Sequence, residues 1–218
     1  MSADERPRRQ ILHWLAAAAA LAGIAMLAAS VTARLGHERI ERNEHAWFIA
    51  QLDAVLAARP HDNDPWRDRF EISAPELGAA TLTVYRSLLG KQSVAVAFTV
   101  IAPDGYRGPI TLLVGVSRAG AVLGVRVLAH RETAGLGDAF AVAGSTWLQQ
   151  FLGRSLQSTA PAAWTIKKDG GDFDQFTGAS VTPRAIVKGV QRALKYAQDH
   201  EALLFERRPP DPTDRGSR

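Results

Sequence analysis

The residues with the most chemistry to offer lie near the C-terminus, in the string Asp174-Gln175-Phe176-Thr177-Gly178-Ala179-Ser180. Val181-Thr182-Pro183 and a helical pattern follow at once. The order sets a hydroxyl, that of Ser180, just ahead of a helix start. A helix N-terminus presents unpaired N–H donors and the positive end of its dipole, so it attracts phosphate. Small residues beside the serine let a bulky phosphate approach the backbone. A serine so placed is a candidate acceptor for a phosphoester. Taken as a bare motif, the same string also describes an ordinary turn and helix cap.

A second string, His130-Arg131-Glu132-Thr133-Ala134-Gly135-Leu136-Gly137, closes an expected strand. Its glycines permit backbone to come close to a flat ring, and its polar residues can hydrogen-bond ring edges. The plainer reading is a glycine-rich strand-to-helix loop with a surface Glu.

Both strings need elements to hold them. Thr81 to Leu88, Ser93 to Ala102, Ile110 to Ser117 and Ala121 to Ala129 are rich in Val, Thr, Ile and Leu. Turn signals separate them: Gly90-Lys91, Pro103-Asp104-Gly105 and Arg118-Ala119-Gly120. Such short connections favour antiparallel hairpins, because parallel pairs need a long crossover. Ser145 to Leu152 reads as a short helix and Trp164 to Lys167 as a further strand. Arg184 to His200 reads as an amphipathic helix. Ile186, Val190, Ala193, Leu194 and Ala197 line one side, and Lys188, Arg192, Lys195 and Asp199 the other. Thr182 is its expected cap and Pro183 its first helical position. Trp147 and Trp164 are expected in the core.

At the other end, Ile11 to Ala33 reads ILHWLAAAAALAGIAMLAASVTA, without an acidic or Lys/Arg side chain. A run longer than about 18 such residues is enough to cross the hydrocarbon layer as a helix. Arg6, Arg8 and Arg9 precede it and only Arg34 follows closely, which puts the N-terminus in the cytoplasm. A signal peptide is the rival reading, through Ala28-Ala29-Ser30 or Val31-Thr32-Ala33, but signal cores usually run about 7–15 residues. Glu38 to Ala58 then reads as a helix, with Phe48, Leu52, Val55 and Leu56 at helical spacing and Pro60 beyond its end. His61 to Asp68 reads as a loop. The expected organisation is a basic flank (1–10), an anchor (11–35), one extracytoplasmic α+β domain (36–206) with helices flanking an antiparallel sheet, and a disordered tail (207–218).

Composition closes off several functions. The formal net charge of the 218 residues is +4, yet 18 Lys+Arg face 18 Asp+Glu between His37 and Glu206. No basic stripe with interleaved aromatics occurs, so nucleic acid is not the expected partner. The chain has no Cys, which removes disulfides, Cys-ligated clusters and Cys-attached haem. The six His show no metal-ligand spacing, and no metal site is expected.

The core of the first string resembles the D-x-x-[ST]-G-A-[ST] signature of proteins that carry flavin mononucleotide (FMN) covalently, as a phosphoester on the last hydroxyl. The longer string KKDGGDFDQFTGASVTPRAIVKGVQ, from Lys167 to Gln191, resembles the corresponding segment of the G subunit of the Rnf complex, a membrane-bound ion-translocating electron transport complex. Ser180 stands where such proteins most often have Thr; both are hydroxyl acceptors. The second string resembles the family's H-x-E-T-P-G-L-G stretch, with Ala134 where Pro is usual.

The resemblance covers most of the chain. It implies FMN esterified to Ser180 by a separate flavin transferase, with Asp174, Thr177, Gly178 and Ala179 completing the signature. It also implies that Glu132, Thr133, Gly135 and Leu136 lie by the flavin. Asp174 is assigned to recognition or local structure, and no residue to catalysis. The implied role is an electron relay, without turnover of its own, in an assembly linking ferredoxin and NAD to ion translocation. The implied partners are the other subunits of that complex and membrane lipid. The implied location is the cell inner membrane, single-pass, with the bulk of the chain periplasmic. Two alternatives share features of the sequence. One is the C subunit of the Na⁺-translocating NADH:quinone reductase; the other is a membrane-anchored binding domain with no redox role. The short chain and the KKDGGDFDQF lead-in favour the Rnf side.

Overall fold

The structure, a computed structural model, describes residues 5–141 and 145–206, with only part of the side chains between residues 5 and 40. The chain divides into two compact units, Met1–Phe48 and Ile49–Arg218.

Helix α1 (Glu5–Leu56) is continuous, so the expected helix after residue 38 runs straight on from the apolar run. Most side chains of the expected 11–35 anchor lie outside the described residues, as does the 207–218 tail. Among the described residues no helix is long and apolar enough to cross a membrane. In the Met1–Phe48 unit, Trp14, Leu15, Leu21, Met26 and Leu27 are exposed.

The second unit is built on a five-stranded sheet: β1 (Phe70–Ala74), β2 (Ala79–Leu89), β3 (Gln92–Ala102), β4 (Ile110–Ser117) and β5 (Val122–Ala129). The strands lie side by side in chain order and every pair is antiparallel, as the short connections require. The four strands read from sequence are present within two residues at each end. The strand that escapes a reading of the sequence is β1. Its five residues, Phe-Glu-Ile-Ser-Ala, alternate buried and exposed, a period-two pattern that is brief and ends at Pro75.

Both faces of the sheet are covered, which is why the middles of β3 and β4 are buried at consecutive positions. On one face lies α2 (Val181–Asp199), whose Ile186, Val190, Ala193, Leu194 and Ala197 are buried as the periodicity predicts. A Cβ at Gly189 would stand 2.9 Å from Leu112 Cδ1 and 3.2 Å from Ala102 Cβ, so the helix sits close on the sheet there. On the other face lies the last turn of α1, through Leu52, Val55 and Leu56, each at most 1% exposed.

Two glycines make room for that turn. Gly115 and Gly124 are cross-strand partners on β4 and β5. A Cβ at Gly115 would lie 2.3 Å from Val55 O, and one at Gly124 2.7 Å from Val55 Cα. The obstacle is backbone and cannot rotate away. Gly115→Ala is therefore expected to cost about 1–3 kcal/mol, the usual range for overpacking. Urea unfolding should show a lower midpoint at unchanged slope.

Three local readings change. Trp164 to Lys167 is not a strand: Ile166 makes one isolated bridge to Phe173, and a 3-10 turn follows over Lys167–Asp169. Gly171 lies so close to Thr165 O that a Cβ would be 2.1 Å from it, so the chain doubles back instead of extending. The helix expected over 145–152 is a 3-10 segment, Trp147–Phe151. Helix α2 starts at Val181, with Ser180 as its N-cap residue, so Thr182 and Pro183 lie inside the first turn. Trp164 is buried, at 4% exposed, as expected. Trp147 is partly buried and packs on Phe151 and Phe176.

Candidate functional site

Three segments meet at the start of α2: the β3–β4 turn, the loop after β5, and the first turn of α2 itself. One buried carboxylate joins them. Glu132, 7% exposed, accepts a hydrogen bond from the Arg107 N–H at 3.0 Å on Oε1, and one from the Thr182 hydroxyl on Oε2. Arg107 belongs to the β3–β4 turn and Thr182 to α2, so one side chain spans 25 residues of sequence in one direction and 50 in the other. Two glycines admit it. A Cβ at Gly105 would stand 3.0 Å from Oε1, and one at Gly137 3.0 Å from Oε2. Buried polar groups left without partners cost about 1–3 kcal/mol each, so a carboxylate that satisfies two donors fastens the segments firmly.

Above this fastening opens a pocket of about 210 Å³. Glu132, Thr133, Leu136 and Gly137 form one side of it, Gly178 to Thr182 the other, and Tyr106 the rim. Ser180 lies in this wall, half-buried, with φ −116° and ψ −13°. Its hydroxyl makes no cap hydrogen bond, although it occupies the N-cap position. Serine at an N-cap normally bonds an N–H of the first turn. Here the carbonyl of Ser180 accepts from Arg184 N–H at 3.3 Å, while the hydroxyl stays uncommitted. The first-turn N–H groups of Val181 and Thr182 precede any intrahelical acceptor, and Pro183 has none. Gly178 holds φ +78°, which favours glycine, and turns the chain so that Ala179 N–H bonds Phe176 O at 3.1 Å.

The lead-in to Ser180 is braced from behind. Asp174 N–H donates to Gln150 Oε1 at 2.9 Å, and Asp174 O accepts from Trp147 Nε1–H at 2.8 Å. The Asp174 carboxylate pairs with Lys167 Nζ at 2.5 Å. The Trp147–Phe151 segment is itself fixed to the sheet edge, where Gly153 N–H bonds Val122 O and Val122 N–H bonds Arg154 O, each at 2.9 Å. Asp169 takes Arg184 in a two-point ion pair, Nε to Oδ2 at 2.7 Å and Nη2 to Oδ1 at 3.0 Å. The Arg184 hydrogen bond holds the Asp169 carboxyl below the usual carboxylate range and raises the guanidinium in turn. The pair is thus kept above the ordinary Asp range and lost as pH falls through the depressed folded value.

Residues 105–195 match the family described as FMN-binding domain. The chain is 40% identical over 179 residues to the G subunit of the ion-translocating oxidoreductase complex of Vibrio atlanticus (strain LGP32), a match covering 81% of this chain and 86% of the relative. It is 45% identical over 177 residues to the protein of the same name in Stutzerimonas stutzeri, covering 81% and 75%. For that of Escherichia coli (strain K12) the figures are 45% over 157 residues, 72% and 76%. The chain belongs to the G-subunit family of ion-translocating oxidoreductase complexes.

In this member of the family the site residues expected from sequence separate into two groups. Glu132, Thr133, Leu136, Gly178, Ala179 and Ser180 come together around the pocket. Thr177, Gly135 and Asp174 do not line it. Gly135 shapes the loop instead, with φ +74° and its N–H on Asp138 Oδ1 at 2.7 Å. Thr177 is exposed, and Asp174 is tied into the brace. Glu132 reads from sequence as a ring-edge contact or a surface acid, and it is buried with each oxygen engaged by a protein donor. Gly137, the last glycine of the second string, also lines the pocket, as do Tyr106, Val181 and Thr182, which the sequence does not single out as site residues. The turn signal at Gly105 gives no hint that Tyr106 ends beside a residue 74 positions later.

Proposed function

We propose that this chain carries FMN as a phosphoester on Ser180 and serves as the flavin-bearing subunit of an ion-translocating oxidoreductase complex. The observation that carries the reading is the uncommitted Ser180 hydroxyl at the head of α2, in the wall of a pocket, in a chain of this family. The residues present suit the group. Val181 and Thr182 N–H open α2 next to Ser180 without intrahelical acceptors, and the α2 dipole favours a phosphate's charge there. Gly178 and Ala179 add no bulk. The pocket is smaller than the roughly 300–1,000 Å³ that encloses a whole drug-sized ligand, so it suits part of the cofactor, with the rest at the rim.

Attachment requires a partner enzyme. Ser180 has no His, Lys or carboxylate hydrogen-bonded to its hydroxyl among the described residues. The oxygen must lose its proton to a base of a flavin transferase while it bonds to phosphorus. An activated donor such as a flavin dinucleotide supplies the phosphoryl group. Its pyrophosphate bond breaks and a nucleoside monophosphate leaves, so no water is split and no electron is exchanged. Once bound, FMN accepts and donates electrons one or two at a time. The chain's own contribution is to hold it: Glu132 and Thr182 fix the first turn of α2, and the ester prevents loss of the cofactor.

In this reading residues 11–35 anchor the chain in the cell inner membrane, with 1–10 cytoplasmic and the 36–206 domain periplasmic. The charge-free run from Ile11 to Ala33 and the exposed Trp14, Leu15, Leu21, Met26 and Leu27 support it. Its partners are the other subunits of the complex and the transferase, and the chain relays electrons between ferredoxin/NAD chemistry and ion translocation without turnover of its own.

The deciding experiment is co-expression of the full chain with a flavin transferase. The expected result is a band that fluoresces under ultraviolet light after denaturing electrophoresis, with an intact mass raised by FMN less one water. A chain of unmodified mass from that co-expression would defeat the reading.

A further inference from the structure

In the Ile49–Arg218 unit, five large apolar side chains stand exposed among the described residues: Leu89, Tyr106, Leu136, Leu152 and Val181. Three of them line the pocket that holds Ser180: Tyr106 at 70% exposed, Leu136 at 45% and Val181 at 39%. They come from three different segments: the β3–β4 turn, the loop after β5, and the first residue of α2. Single exposed apolar residues need no explanation, but a cluster around one cavity marks a binding surface. Folding does not account for it, since side chains this exposed add little to the core.

The pocket is chemically divided. Its buried lining is polar, Glu132 accepting from Thr182, whereas its exposed lining is aromatic and aliphatic. That division matches a ligand with a charged phosphate at one end and a flat, largely apolar ring at the other. Tyr106 is also held in place. The next residue, Arg107, gives its N–H to Glu132 Oε1, so the carboxylate that fixes α2 fixes the turn carrying the tyrosine.

We propose that Tyr106 is the aromatic contact for the isoalloxazine ring of the flavin carried on Ser180, with Leu136 and Val181 completing an apolar rim. This rests on the reading of Ser180 as the attachment point. Two flat π systems favour offset-stacked or edge-on contact, and a tyrosine at a pocket mouth supplies such a face with its hydroxyl left in water. A phenol in contact with a photoexcited flavin quenches it by lending an electron and taking it back, so emission reports contact without any turnover.

The test uses the full chain co-expressed with a flavin transferase, in wild-type, Tyr106→Ala and Tyr106→Trp forms. Intact mass gives the loading, and flavin emission per loaded chain is compared between folded and denatured protein. Wild type is expected to be quenched when folded. Tyr106→Ala is expected to emit, per loaded chain, severalfold more than wild type when folded, approaching its denatured value. Tyr106→Trp is expected to stay as quenched as wild type or more so. Folded emission from loaded Tyr106→Ala equal to wild type would overturn the proposal. If the alanine variant loads poorly, the tryptophan variant decides: emission above wild type overturns the contact, and emission at or below it supports the contact. A wild-type chain without added mass defeats the Ser180 reading itself, whereas a loaded chain indifferent to residue 106 removes only Tyr106.

Discussion

Ser180→Ala is expected to abolish covalent flavin completely while leaving the fold almost untouched. The two effects separate because the Ser180 hydroxyl makes no cap hydrogen bond. Replacing a serine that caps a helix costs about 1 kcal/mol; here that interaction is absent, so the loss should fall well below that figure. The variant should unfold at nearly the wild-type denaturant concentration, yet give a dark band and an unmodified mass after co-expression with transferase. Ser180→Thr should keep the adduct, since it keeps a hydroxyl at the same backbone position. Other hydroxyls nearby make the experiment discriminating. Thr182 already donates to Glu132, and Thr177 is exposed but outside the pocket. Fluorescence that survives in Ser180→Ala would move the ester to one of these and refute the assignment.

The second large effect concerns Glu132. Removing its side chain takes the acceptor from the part-buried Arg107 N–H and orphans the buried Thr182 hydroxyl, and it empties the space between Gly105 and Gly137. At about 1–3 kcal/mol for one buried group left unsatisfied, Glu132→Ala is expected to destabilise the domain by roughly 1–3 kcal/mol. Glu132→Gln should recover most of this. Its amide oxygen can still accept from Arg107 N–H, and its NH₂ can donate to the Thr182 oxygen, with the hydroxyl rotating to suit. Chemical denaturation of the three forms measures the difference. A double-mutant cycle with Thr182→Val should return a coupling energy of about 0.5–3 kcal/mol, as for residues in direct contact. Flavin loading provides the second reading. It should fall in Glu132→Ala, because the first turn of α2 loses its attachment, and return in Glu132→Gln. An alanine variant as stable as wild type would show that the carboxylate is not what fastens these segments.

Much of this is legible in the order of amino acids alone. Strands β2 to β5 follow from runs rich in Val, Thr, Ile and Leu between turn signals, and the buried side of α2 from helical periodicity; both are local and survive in the sequence. The serine at a helix start is equally local, because the turn glycine, the small residue and the hydroxyl are neighbours in the chain. The local readings that fail do so where long-range contact outweighs local preference. Trp164 to Lys167 has strand-like composition, but the chain folds back at Gly171 and the tryptophan joins the core. Thr182 has the type of a cap residue, yet its hydroxyl is claimed by a carboxylate fifty positions earlier.

The sequence by itself determined the family, the sheet order implied by short hairpins, and the identity of the candidate acceptor oxygen. Only the tertiary structure decided that Glu132 is a buried fastener, that Asp174, Gly135 and Thr177 stand outside the pocket, and that Tyr106 belongs to it. The reason is physical. Periodicity and turn chemistry record which way each residue faces over a few neighbours. Which hydrogen bonds a buried carboxylate makes, and which side chains ring a cavity, depend on segments brought together only when the sheet and α2 have packed.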